Sequence, residues 1–117
     1  MALKVIIAGS RTLTDYERVR PLIEAAPFRH LITEVVCGKA PGMDTLGERW
    51  AKENNIPVLP YPADWDSYPK SAGRIRNEQM AKVADALICI HRGTSGSVDM
   101  MQRAVKRKLL LHCVYLG

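Results

Sequence analysis

Hydroxyl, guanidinium and ammonium side chains stand beside glycines at three places in this chain: Gly9-Ser10-Arg11, Gly38-Lys39-Ala40-Pro41-Gly42-Met43-Asp44 and Gly93-Thr94-Ser95-Gly96-Ser97. That combination is the chemistry of anion binding. Glycine lets the main chain approach an oxyanion, Ser and Thr add short donors, and a guanidinium holds phosphate or carboxylate through two parallel bonds. A fourth stretch contributes Arg74, Arg76 and Asn77. Helical spacing puts Arg74 and Asn77 on one face and turns Arg76 elsewhere, so the three are not expected to hold one group, and Arg76 and Asn77 rank above Arg74. Asp44 would repel a phosphate but can accept hydrogen bonds from ribose hydroxyls; its alternative role is to compensate a helix dipole. Lys39 has two equal readings, a phosphate contact or a solvated loop lysine.

Catalytic residues are harder to name. Asp44, Asp99 and His91 are the weak candidates, with Asp64 behind them, and His91 earns its place only by ending an apolar run near the glycine turns. No Ser/His/Asp arrangement or metal-ligand spacing stands out, and neither a metal nor a cofactor is expected. His30 and His112 read as structural.

The elements that must position these residues follow from hydrophobic pattern. Leu3 to Ala8, Leu31 to Cys37, Ile56 to Leu59, Ala86 to Ile90 and Leu109 to Tyr115 are short aliphatic runs. They predict strands buried on both faces. Helical spacing fills the gaps, at Tyr16, Val19 and Ile23, at Met43, Leu46, Trp50 and Ala51, at Ile75, Met80, Val83 and Ala84, and at Val98, Met101 and Val105. The first helix is expected to open with a Thr14-x-x-Glu17 capping box. Strand alternating with helix implies an α/β fold: a single Rossmann-like three-layer sandwich over residues 1–117, with a mostly parallel sheet of about five strands. Each glycine turn then follows a strand and opens a helix, and in a parallel sheet such turns gather along one edge, where helix N-termini favour anions. Residues 60–70 carry three prolines and three aromatics and predict an ordered loop, in which Trp65 or Tyr68 either stacks on a base or anchors the loop.

Composition sets the outer limits. With 117 residues, 47% of them hydrophobic, one ordinary core is affordable. Seventeen Lys and Arg against 12 Asp and Glu give a net charge of +5, which favours anionic partners. Cys37, Cys89 and Cys113 each sit inside an apolar run, which predicts reduced, buried thiols rather than a disulfide framework. With no leader-like segment and no apolar run of about 18 residues, the expected location is the cytoplasm and no membrane partner is expected.

Taken in order, Gly9-Ser10-Arg11, Gly38-x-x-x-Gly42-x-Asp44, Pro62-Ala63-Asp64-Trp65, Gly73-x-Ile75-Arg76-Asn77 and Gly96-Ser97 resemble the YspA-like branch of the SLOG superfamily, named for the DNA-processing protein DprA and the "lonely guy" phosphoribohydrolases. The resemblance implies a Rossmann-like domain binding a nucleotide or nucleotide-derived ligand, and many members are predicted from gene context to act in bacterial and phage conflict. The ligand-binding set it implies is Gly9, Ser10, Arg11, Gly38, Lys39, Gly42, Asp44, Arg76, Asn77, Gly93, Thr94, Gly96 and Ser97. The chain departs from the pattern at Lys39, where a second glycine is usual, and at Ser97, where threonine is usual. Where the "lonely guy" signature has a glutamate this chain has Met100; Asp99, one residue earlier, is rotated by about 100° on a helix. The first expectation is therefore ligand binding, whether to sense, sequester or process the ligand. Alternatives are a nucleoside phosphate N-glycosidase or phosphoribohydrolase, and a DprA-like module for single-stranded DNA using Arg103, Lys106, Arg107 and Lys108. The partners implied are a nucleotide-derived small molecule and, as an open option, a second copy of the chain, with nucleic acid ranked lower.

Overall fold

The computed structural model describes residues 1–117. Five strands, β1 (Leu3–Gly9), β2 (Ile32–Cys37), β3 (Val58–Pro60), β4 (Ala86–His91) and β5 (Leu110–Tyr115), alternate with α1 (Tyr16–Glu24), α2 (Met43–Glu53), α3 (Ala72–Val83) and α4 (Ser95–Lys106). All strand pairs are parallel, in the order β3-β2-β1-β4-β5. The period of two along β1 and β4 explains the layers. Val5, Ile7, Ile88 and Ile90 point into one core with Val19 and Ile23 of α1 and Leu46 and Trp50 of α2. Ile6, Ala8, Leu87 and Cys89 point into the other, against Met80 of α3 and Met100 and Ala104 of α4. Each fully buried Ile or Leu contributes about 1.5–3 kcal/mol, so the two central strands supply much of the stability.

The order of the strands positions the site. From β1 the chain steps to β2 and β3 on one side and then returns to β4 and β5 on the other. The two directions part between β1 and β4, leaving a crevice beyond the C-terminal ends of those strands.

Local details depart from expectation. α1 is capped by Asp15, whose Oδ1 accepts from the Arg18 N–H at 3.3 Å, while Glu17 pairs with Arg20. The Thr14 capping box does not form, because a carboxylate one position later already serves as the cap. β3 is only three residues long and half-buried, and Ile56 precedes it. β5 is an edge strand, so Leu110, Leu111 and Tyr115 are exposed, and Cys113 is an exposed rather than a buried thiol. In α4 the buried positions are Ser97, Met100 and Ala104; Val98 and Val105 face outward. The 60–70 loop is ordered by turns, with the Ser67 N–H donating to Asp64 Oδ1 at 3.1 Å and the Ala72 N–H to the Tyr68 carbonyl at 2.9 Å.

Candidate functional site

At the end of β1, Gly9 runs so close to β4 that a Cβ would lie 1.8 Å from the Ile90 carbonyl oxygen. Glycine is required there by packing. Ser10 is fully buried, its Oγ accepting from the Arg92 N–H at 2.8 Å and meeting Thr94 Oγ1 at 3.2 Å. Its hydroxyl stitches the first and fourth turns together behind the crevice. Arg11 then turns into the crevice with Thr12, its guanidinium 5.7 Å from the ring centre of Trp65.

The turn after β2 is folded by backbone demands. Gly42 has φ +79° and lies against the Arg11 main chain, where a Cβ would meet the carbonyl oxygen at 2.3 Å. Lys39 holds a left-handed φ of 60°, which suits the glycine usual at that position in the resembled family. Its ammonium turns away from the crevice to Glu48 at 2.7 Å. Lys39 is therefore a surface ion pair in this conformation. Gly38 sits behind the site: a Cβ there would be 2.5 Å from Arg76 Nη1 and 2.7 Å from Asp44 Oδ2.

Asp44, in the first turn of α2, is buried and accepts the Ala40 N–H at 3.2 Å. Burial pushes its carboxyl up to about 6, against the opposing pull of the Ala40 N–H, Arg76 and Arg11. From α3, Arg76 donates to the Gly38 carbonyl and, through Nε, to Asn77 Oδ1 at 3.1 Å. Asn77 Nδ2 reaches Asp99 Oδ2 at 2.9 Å and the Gly96 carbonyl at 3.3 Å. The expected divergence of Arg76 from Asn77 does not occur. The long arginine side chain reaches both its neighbour Asn77 and the Gly38 carbonyl, and Arg74, Arg76 and Asn77 all line the crevice.

The first turn of α4 forms the opposite wall. Thr94, Ser95, Gly96 and Ser97 line it, and a Cβ at Gly96 would meet nothing within 4 Å. Asp99 also lines it, its Oδ2 held by Arg103 at 2.9 Å as well as by Asn77. Together these residues enclose about 540 Å³. That is within the range of small-ligand sites. Trp65, Lys70, Gly73, Met80 and Met100 also line the crevice, with Ala8 and Ala40. Thus Gly9, Arg11, Asp44, Arg76, Asn77, Thr94, Gly96 and Ser97 converge, whereas Ser10, Gly38, Lys39, Gly42 and Gly93 support the walls without lining them.

His91 stands outside this constellation. Its Nδ1 accepts the Gly93 N–H at 3.0 Å and its ring centre is 5.6 Å from that of Tyr115, so it shapes a turn. Tyr68 is half exposed and does not line the crevice, whereas Trp65 does. No group of three or more His, Cys, Asp or Glu side chains is arranged to hold a metal ion. No helix is long and apolar enough to cross a membrane. Lys70 and Thr12 escaped notice in the sequence because nothing in their local pattern distinguishes them from loop residues.

The model of the YspA, cpYpsA-related SLOG family matches residues 3–68, through the first two glycine turns and into the tryptophan loop. The chain belongs to this SLOG family. It is 31% identical over 114 residues to the Gene 61 protein of Mycobacterium phage D29, covering 88% of this chain and 89% of that one. The SLOG fold extends to a solved structure, the DNA processing protein A (DprA) of Streptococcus pneumoniae, with a TM-score of 0.73 and 20% identity. That likeness covers 94% of this chain and 49% of DprA, so the chain spans about half of DprA's length.

Proposed function

We propose that the crevice binds a phosphorylated, nucleotide-derived ligand. One observation carries this reading: Arg11, Lys70 and Arg74 line the crevice without forming a salt bridge, together with the first turn of α4. Unpaired cations opposite a helix N-terminus make an anion site, with the free N–H groups beside the bare Gly96 as directional donors. Trp65, held beside Arg11, offers a ring for a base, and Asp44 offers an acceptor for ribose hydroxyls. Asp99 is held by Asn77 and Arg103, Asp44 takes a single N–H bond from Ala40 and keeps lone pairs for ribose hydroxyls, and Met100 lines the crevice where the phosphoribohydrolase signature has a glutamate. This favours sensing or sequestering over hydrolysis. The reading also places the protein in the cytoplasm, where such ligands occur, and a part in phage and bacterial conflict fits the likeness to a phage protein.

The test is a thermal-shift screen with AMP, ADP-ribose and cyclic AMP, since a ligand that binds only the folded state raises its melting temperature. At least one nucleotide is expected to shift the wild type and to lose its effect in Arg11→Ala. Trp65, exposed beside the crevice while Trp50 is buried, should report the same binding as a fluorescence change absent from Trp65→Phe. Failure of every nucleotide to shift the wild type would overturn the reading. Chromatography of the incubated ligand decides turnover: released base would favour the N-glycosidase. The DNA reading is weakened because Arg103 and Arg107 of the basic cluster are bound to Glu78 and Asp99.

A further inference from the structure

The two edges of the sheet are protected very differently. β3 is three residues long, half-buried and ends in Pro60, which has no N–H to offer. β5 has six residues, an unbroken register against β4, and neither proline nor charge along its length. Its side chains are apolar or neutral, and Leu110, Leu111 and Tyr115 are 46%, 43% and 64% exposed. Beside it, α4 presents a second apolar stripe, Val98, Met101 and Val105, at the i, i+3, i+7 spacing of a buried helix face. Yet Val105 is 60% exposed and Val98 37%, because α4 packs on the sheet through Met100 and Ala104 instead. An unprotected edge strand beside a helix stripe whose Val98 and Val105 stay exposed, with Met101 packed on the core between them, is a surface for another chain.

The geometry points to a second copy of this chain as the occupant, joined edge to edge through β5 about a two-fold axis perpendicular to the sheet. Such an axis makes the strands antiparallel and keeps each face on its own side, so paired residues must share a face. Leu111, Cys113 and Tyr115 share the α4 face, since they register with Leu87, Cys89 and His91 of β4. With the axis at Cys113, Leu111 meets Tyr115 of the second copy, His112 meets its Val114, and each Cys113 faces the other. The same operation lays the two α4 helices antiparallel across the seam, setting Val98 near Val105 of the second copy. Every contact is then apolar or neutral, as an isologous interface requires of a patch that must complement itself. A six-residue edge roughly 20 Å long, flanked by α4 on one face and α1 on the other, presents on the order of 600–800 Å² per copy. That approaches the ~800 Å² per partner of a standard interface. Lys106 and Lys108 lie beyond the end of the strip, and the two-fold sets those of the two copies at opposite ends of the seam, farther apart than a Debye length, so they do not oppose the dimer.

Sedimentation equilibrium of the whole chain tests this, beginning at about 100 μM, where mass action favours association. The wild type is expected at twice its 13.1 kDa mass. Val105→Glu and Leu111→Lys alter exposed side chains, so each is expected to melt like the wild type while its dimer dissociation constant rises at least tenfold. Diamide supplies an independent readout. It accepts the two electrons and two protons released when two thiols join, and should link the wild type through Cys113 because Cys37 and Cys89 are buried. Cys113→Ser should abolish the link, and Leu111→Lys should suppress it. A monomeric wild type, a dimer indifferent to both charge substitutions, or a diamide link that forms equally in Leu111→Lys overturns the proposal.

Discussion

Replacing Gly96 by Ala should stabilise the free protein and weaken its ligand, two effects of opposite sign from one methyl group. Gly96 is the second residue of α4 and its φ is not positive, so alanine adopts the same backbone. The new Cβ meets nothing within 4 Å. Alanine is favoured over glycine in a helix by roughly 0.5–1 kcal/mol, which for a domain of this size is an increase of about 2–4 °C in melting temperature. The empty space is the crevice, however, and the methyl group projects where an oxyanion would approach the first-turn N–H groups. Losing one hydrogen bond to a charged ligand costs about 2 kcal/mol, or roughly thirtyfold in affinity. At a ligand concentration of 100 Kd, the wild type gains about 2.7 kcal/mol from binding; after a thirtyfold loss the gain falls to about 0.9 kcal/mol. Thermal denaturation with and without nucleotide reads both numbers. A lower melting temperature for the free variant would refute the helical, open setting of Gly96, and an unchanged ligand-induced shift would refute the N-terminus of α4 as the anion site.

Asp44 gives a pH signature. Its carboxyl is raised from 3.8 to about 6 by burial, so between those values the native state holds a proton that the unfolded chain has lost. This contribution to stability is present at low pH and disappears as pH rises through 6, amounting to on the order of 2–3 kcal/mol at 1.36 kcal/mol per unit. Asp44→Asn, which keeps the acceptor for Ala40, should flatten the stability profile between pH 4 and 6 in denaturant titrations; an unchanged slope would show that Asp44 is not the group responsible. Lys39→Gly relieves a left-handed φ and removes an exposed ion pair to Glu48, effects that oppose each other. Its melting temperature should stay within a few degrees of wild type and its nucleotide response should persist, and loss of that response would return Lys39 to the binding set.

The sequence is informative where a residue's role depends on the sheet and less so where it depends on a neighbour in space. β1 and β4 are buried on both faces, and their continuous aliphatic runs say so directly. β5 has the same composition at an edge, and nothing in a run of Leu, Val and Tyr distinguishes a central strand from a marginal one. Val98, Met101 and Val105 carry helical periodicity, but the smaller Ala104 lets α4 lie closer to the sheet, and Met100 takes the buried place. In the site, Arg11, Asp44 and the first turn of α4 are legible because motif and element boundary coincide. Lys39 is not, since its side-chain direction follows from a left-handed backbone angle and from Glu48 nine residues away. The bond between Arg76 and Asn77 defeats a reading by helical wheel, which fixes Cα directions but not the path of a flexible side chain.

The buried Ser10 hydroxyl has a consequence at the mouth of the crevice. It accepts the Arg92 N–H and meets Thr94, which in turn meets Ser97 at 2.9 Å. The Ser10–Thr94 contact fits either direction, and the one that satisfies the hydrogen of the fully buried Ser10 has Ser10 donating. Thr94 then turns its hydrogen to Ser97, and Ser97 is left with a free one. Three rotatable hydroxyls thus act as a wire whose polarity is set by a main-chain N–H at its hidden end and whose other end, the Ser97 hydroxyl lining the crevice, is a donor, strengthened by each link behind it. A phosphate arriving at Ser97 finds a hydrogen already turned outward.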